Sequence, residues 1–281
     1  MISSVQKWVA PMVMGCVMLT GLGACQSGIK IEPVGVAPSP VKAAEAVPLS
    51  RDRVTSESVL HLRDQLTQNK LAEQALAEKL AFYELRGHQV VSLDDARAER
   101  LQTIFDKVHQ RSHLASMALR PVLVEKDVFQ AYTMGGLEIV FYTGLTQSLS
   151  DDGLAIIIGH EMAHIATSHA VEAVSRDVVN LSHSHDGRLS GFKAIESEYE
   201  ADMVGLLYAV LAGYDGRKAP EIWQTLSEIQ HRPKYNLFTA THPPDEARAA
   251  RLASQAQAIA HLRGSTRWQS HLVCNPLYCA E

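Results

Sequence analysis

The stretch Ser150-Asp-Asp-Gly-Leu-Ala-Ile-Ile-Ile-Gly159, followed by His160-Glu161-Met162-Ala163-His164, decides how the rest of the chain is read. Ser150 is a strong helix N-cap, and Asp151 and Asp152 place negative charge at the positive end of the helix dipole. The apolar run from Leu154 predicts a buried helix that continues to about Arg176. Within it His160 and His164 are four residues apart, so they lie only about 40° apart around the axis and both imidazoles can reach one ion. Glu161, offset by about 100°, borders the same point and can reach a water there without ligating. Two histidines and a glutamate buried in such a helix are costly without an ion or fixed partners. The pattern His-Glu-x-x-His therefore reads as a zinc site with Glu161 as the general base of a hydrolase.

A catalytic zinc needs a third protein ligand and one open position. A histidine ten residues after His160 would supply it in one class of zinc peptidase, but that position is Ala170, and the glycine expected before it is Thr167. His169, nine residues after His160, falls on the opposite side of a continuous helix and reads as a solvated surface histidine. The remaining source is a second helix, expected from about Ile195 to Leu211, which carries Glu196, Glu198, Glu200 and Asp202. Glu198 and Asp202 share a face, so Glu198 can ligate while Asp202 hydrogen-bonds the outer nitrogen of a ligand histidine. Spacing alone leaves Glu196 and Glu200 as competitors. The polar stretch between the two helices, Asp177 to Lys193, is expected to be a surface loop.

Together with three other segments these residues resemble metallopeptidase family forty-eight, the HtpX/BepA/LoiP-like gluzincin zinc proteases. The resemblance covers about residues 93 to 255. It rests on Met134-Gly135-Gly136 before an Ile139-Val140 strand, His160-Glu-Met-Ala-His164, Glu198-x-x-x-Asp202 followed by Gly205, and Thr241-His242-Pro243 with Arg248. Met134 stands where the family usually has proline, and Ala249 where it usually has isoleucine. The resemblance implies an α+β zincin-like domain, mostly helical, with a small sheet whose edge strand borders the active site. It also implies one Zn2+ per chain held by His160, His164 and Glu198, with Asp202 and Arg248 behind the ligands. His242 is implied to lie over the ion, either assisting the oxyanion or closing the open position, and Leu137 to Tyr142 to be the edge onto which a peptide substrate adds. In organisation the short lipoprotein members, LoiP-like, are the nearest.

The flanks carry the rest of the reading. Lys7 followed by an apolar run to Ala24 is expected to be a lipoprotein signal peptide at 1–24, and Leu22-Gly23-Ala24-Cys25 looks like a lipobox with Cys25 as the lipidated residue. Gln26 after the cysteine points to the periplasmic face of the outer membrane. A proline-rich tether is expected at 25–50, an amphipathic helix within 51–90, the metallopeptidase domain at 91–265, and a tail at 266–281. In an oxidising compartment Cys274 and Cys279 of that tail could pair.

A net charge of −5 on 281 residues, 46% of them hydrophobic, leaves no basic face for nucleic acid. The function expected is a cell-envelope zinc endopeptidase acting on misfolded or misassembled proteins, with the outer-membrane assembly machinery as a partner. The rival expectation is a membrane-tethered chaperone or assembly factor whose zinc is structural because His242 closes the fourth position.

Overall fold

The computed structural model describes residues 49–51, 58–60, 65–169, 188–243 and 246–266. Cys25, the signal peptide, Cys274, Cys279 and the part of the expected Asp177–Lys193 loop before Arg188 lie outside them.

Strands β1 (Leu49–Arg51) and β2 (Ser58–Leu60) pair antiparallel. Helix α1 (Gln65–Leu85) follows. The amphipathic helix expected within 51–90 thus occupies only its later part. Ser58-Val59-Leu60 is too short an apolar run to fix a helical period, and pairing with Leu49–Arg51 satisfies its backbone instead. At the other end Gly87, at φ 78°, lets the chain leave the helix, and the His88 N–H returns to the Tyr83 carbonyl.

Helix α2 (Ala96–His109) leads to β3 (Arg120–Val124), β4 (Ala131–Thr133) and β5 (Glu138–Tyr142). The sheet order is β3-β5-β4, with β3 parallel and β4 antiparallel to β5. All five residues of β5 are buried, which suits a strand with a neighbour on each side and both faces covered. The strand expected to be the edge is therefore the centre of the sheet, and the edge that faces the site is β4. Alternation along β5 sends Ile139 and Phe141 into the main core, with Leu101 and Phe105 of α2. Val140 and Tyr142 point the other way, against Leu76 and Tyr83 of α1. The Tyr83 and Tyr142 hydroxyls are hydrogen-bonded to each other there. Helix α1 also reaches the turn between β4 and β5: Gln68 Nε2 donates to the Met134 carbonyl at 2.6 Å, and a Cβ on Gly136 would sit 2.5 Å from the Ala72 methyl.

After the short α3 (Thr143–Thr146) comes α4 (Asp151–Ala166). Ser150 Oγ accepts from the Gly153 N–H, and Arg100 braces the entry by donating to Asp151 Oδ1, the Thr146 carbonyl and the Leu149 carbonyl. The helix ends well short of Arg176. Thr167 Oγ1 bonds back to the Ala163 carbonyl, and Ser168 takes a left-handed φ of 59° that turns the chain out of the helix. Helix α5 (Arg188–Leu211) begins earlier than the sequence suggests, followed by α6 (Ala219–Ile229) with Pro220 in its first turn, α7 (Asn236–Thr241) and α8 (Glu246–Ile259). Among the described residues no helix is long and apolar enough to cross a membrane. The architecture is α+β, mostly helical, with a small three-stranded sheet beside the separate β1–β2 pair among the described residues.

Candidate metal centre

The site exists because α4 and α5 cross with no side chain between them. A Cβ added to Gly159 would lie 2.3 Å from the Gly205 carbonyl oxygen, and one on Gly205 would lie 2.4 Å from the His160 nitrogen. Only glycine on both helices permits that approach. Gly205, Asp202 and Glu198 recur at helical spacing on one face of α5, so the crossing brings both acids to His160.

His160 Nε2 lies 3.1 Å from His164 Nε2, 3.1 Å from His242 Nδ1 and 3.3 Å from Glu198 Oε2. Glu198 completes the group through Oε1, 3.5 Å from His164 Nε2, and Oε2, 3.1 Å from His242 Nδ1. These four residues form a group that could hold a metal ion. The donor set, imidazoles with one carboxylate, suits zinc. Metal–ligand bonds of about 2.0–2.1 Å place tetrahedral ligand atoms about 3.3 Å apart, close to the spacing found. Two imidazole nitrogens meeting His160 Nε2 at 3.1 Å would repel one another without a proton or cation between them.

The electrostatics points the same way. Burial works to raise the Glu198 carboxyl, but hydrogen bonds and charge from His160 and His242 outweigh it and hold the group well below the carboxylate range. Burial likewise opposes a charge on His160, yet Asp202 and Glu198 together push the imidazole up to about 9. His164 goes the opposite way, with desolvation and then the His160 charge holding it well below its ordinary value. Glu161 is 1% exposed, and burial raises its carboxyl while His242, His160 and the Thr133 backbone N–H pull it down. Its Oε1 and His242 Nε2 are buried without hydrogen-bond partners and face each other across 3.4 Å.

Supports stand behind each ligand. Asp202 Oδ1 is 3.1 Å from His160 Nδ1, and Arg248 clamps the Asp202 carboxylate with Nε at 2.7 Å and a second nitrogen at 2.9 Å. The same guanidinium reaches Glu198 Oε2 at 3.1 Å, donates to the Pro243 carbonyl, and lies 3.8 Å over the Trp223 ring. His242 follows α7, its N–H bonded to the Phe238 carbonyl and its ring 4.7 Å from the Phe238 ring, which stacks on Trp223. His169 is not the surface histidine expected: it is 7% exposed, with Nδ1 2.8 Å from His164 Nδ1 and Nε2 3.0 Å from Glu200 Oε2. The positive φ of Ser168 folds it back onto the helix end, which a continuous helix could not do.

The structure thus gathers His160, Glu161, His164, Glu198, Asp202, His242 and Arg248. Of the competing acids, Glu196 is exposed and Glu200 holds His169. Sequence reasoning missed Trp223 and Phe238, although Phe238 sits one helical turn before His242. It also passed over Gly159, beside the first histidine.

Relatives carry related names. The mitochondrial metalloendopeptidase OMA1 of Arabidopsis thaliana is 28% identical over 57% of this chain and 36% of its own length. OMA1 of Schizosaccharomyces pombe is 23% identical over 74% of this chain and 65% of its own. A protease HtpX homolog of Bordetella avium is 28% identical over 30% of each. The chain spans less than two thirds of the length of each of these relatives. The model of peptidase family M48 matches residues 95–194 and 188–256, more than half of the chain and all seven residues of the cluster, and the chain belongs to that family.

Proposed function

We propose that the chain is a zinc-dependent endopeptidase in which His160, His164 and Glu198 hold the ion and Glu161 is the proton carrier. The observation that carries this reading is Glu161 itself: a fully buried carboxylate beside the ligand group, outside it, and aimed across the site at His242 Nε2. A purely structural centre has no use for such a group. Bound zinc would supply Lewis-acid polarisation of the scissile carbonyl and acidify water. Glu161 takes the proton of the water that attacks the carbonyl carbon and delivers it to the amine nitrogen as the C–N bond breaks. Its burial, by raising its affinity for a proton, suits both halves of that shuttle.

An extended peptide would lie along β4. The Tyr142 N–H bonds the Gln130 carbonyl, so by antiparallel alternation the backbone groups of Ala131 and Thr133 are directed away from β5. The Thr133 N–H reaches the Glu161 side of the site.

One observation favours the second reading, a closed centre. His242 Nδ1, 3.1 Å from both His160 Nε2 and Glu198 Oε2, stands where a fourth ligand would. Cleavage of casein by the wild type, Glu161→Gln and His242→Ala, each with zinc content measured, separates the two. The enzyme reading expects Glu161→Gln to keep one zinc and lose about 10²–10⁴-fold in rate. A wild type that holds zinc, cleaves nothing and stays inactive as His242→Ala supports a structural centre.

The cellular setting is part of the same proposal. The Leu22-Gly23-Ala24-Cys25 signal supports a lipid anchor at Cys25 and a periplasmic site on the outer membrane, with misassembled envelope proteins as substrates. The short LoiP-like lipoproteins are the subtype this fits. Loss of membrane association in Cys25→Ala, and build-up of misassembled outer-membrane proteins in a deletion strain, are the outcomes expected.

A further inference from the structure

The geometry points to His169 as the positioning residue that fixes the tautomer and direction of the ligand His164, with Glu200 setting the polarity of the chain. This rests on the proposed zinc reading, which assigns His164 as a ligand but gives it no support comparable to Asp202. The protons are fixed from the far end of the chain inward. The Glu200 carboxylate can only accept, so His169 Nε2, 3.0 Å from Oε2, is the nitrogen that carries the proton. The other ring nitrogen, Nδ1, is then the one that accepts. That nitrogen is 2.8 Å from His164 Nδ1, so His164 donates and carries its proton on Nδ1. The His164 lone pair is therefore on Nε2, the atom 3.1 Å from His160 Nε2 and 3.5 Å from Glu198 Oε1 that faces the ion position. One carboxylate at the rim thus dictates which nitrogen is offered at the centre.

A second, independent feature builds this contact. Ser168 is the one non-glycine residue with positive φ among the described residues, and it follows directly on the end of α4. Such a conformation costs of order 1 kcal/mol and persists where the surroundings require it. Its effect is to bring His169 back over the last turn, against the outer face of the His164 ring at 5.1 Å between centroids. A ligand imidazole normally donates its second N–H to such a partner, and removing the partner weakens metal binding about 10–100-fold.

The test measures the zinc dissociation constant of the full-length protein by competition with a chromophoric chelator, together with nitrogen–proton NMR of the histidine rings and melting of the zinc-free form. His169→Phe is expected to raise the dissociation constant about 10–100-fold while the zinc-free melting temperature stays put. His169→Asn, whose Oδ1 can take the place of Nδ1 as acceptor, is expected to recover most of that loss. In the zinc-loaded wild type the spectra should show His164 protonated on Nδ1 and His169 on Nε2, a result that needs no variant. The inference is overturned by the opposite tautomer on either ring, by unchanged zinc affinity in His169→Phe, or by His169→Asn binding as weakly as His169→Phe. A wild type that takes up no zinc removes the metal reading itself, whereas tight zinc in every variant removes only the role of His169.

Discussion

The two imidazoles of α4 are held from behind in opposite ways. His160 rests on Asp202, which rests on Arg248, an arm of full charges with every member 5% exposed or less. His164 rests on another imidazole, His169, and the carboxylate that ends this arm, Glu200, is only partly covered, with a third of its side chain exposed. The first arm ties three elements together, α4, α5 and α8. The second is a local fold-back at the end of one helix that meets α5. Buried charge pairs give rigidity at the risk of a heavy penalty when one member is removed; neutral hydrogen bonds near solvent carry less of both. The His160 side should therefore govern whether the fold stands, and the His164 side how well the ion is gripped.

Removing Arg248 should have the largest effect. Arg248→Ala leaves the buried Asp202 and Glu198 carboxylates to share His160 alone, and urea unfolding of the zinc-free protein should show a loss of about 3–5 kcal/mol. A loss under about 1 kcal/mol would mean the charged arm is not the stronger one. Gly205→Ala comes next, because its methyl collides with the His160 backbone and forces the helices apart. Overpacking of this kind costs about 1–3 kcal/mol, and zinc should be lost from both arms at once.

A titration sharpens the contrast further. In the zinc-free protein His160 is protonated up to about pH 9, while His164 is already neutral at pH 7. Zinc uptake at pH 7.5 should release about one proton per ion, read as the difference in calorimetric heat between two buffers of unequal ionisation enthalpy. Apparent affinity should rise with pH up to about 9 and level off above it. The same raised value means that charged His160 stabilises the zinc-free fold below its ordinary pKa of 6.5, a contribution lost as pH rises through about 9. Two protons, or none, would say that the arms do not differ in this way.

Glu200→Gln tests the weak end. The amide oxygen can still accept from His169, so zinc should weaken only a few-fold, and a loss as large as that of His169→Phe would make the rim carboxylate an equal partner. Ser150→Ala is the control, costing about 1 kcal/mol through the lost cap and leaving zinc affinity unchanged.

Much of the charged arm was readable in the sequence because it obeys helix periodicity. His160 with His164, and Glu198 with Asp202, are spacings that only a regular helix turns into a common face. His242 and Arg248 were reachable only by resemblance, since they enter from a separate helix pair with no local pattern. The arm behind His164 was misread for a definite reason: Thr167 and Ser168 look compatible with a continuing helix, and one left-handed residue reverses where His169 goes. The sheet failed similarly. Leu137 to Tyr142 has the composition of a strand, but its place in the middle is decided by β3 and β4, which lie before it in the chain.

Because α4 and α5 meet main chain on main chain, the separation of the two helices that carry His160, His164 and Glu198, and with it that side of the cage, is set by peptide geometry. Point changes elsewhere in the core can shorten the lifetime of the molecule without enlarging that cage. A calcium ion, which needs six or more oxygens at about 2.3–2.6 Å, is refused by three imidazoles and one carboxylate, and the fixed crossing leaves no slack to bring in others.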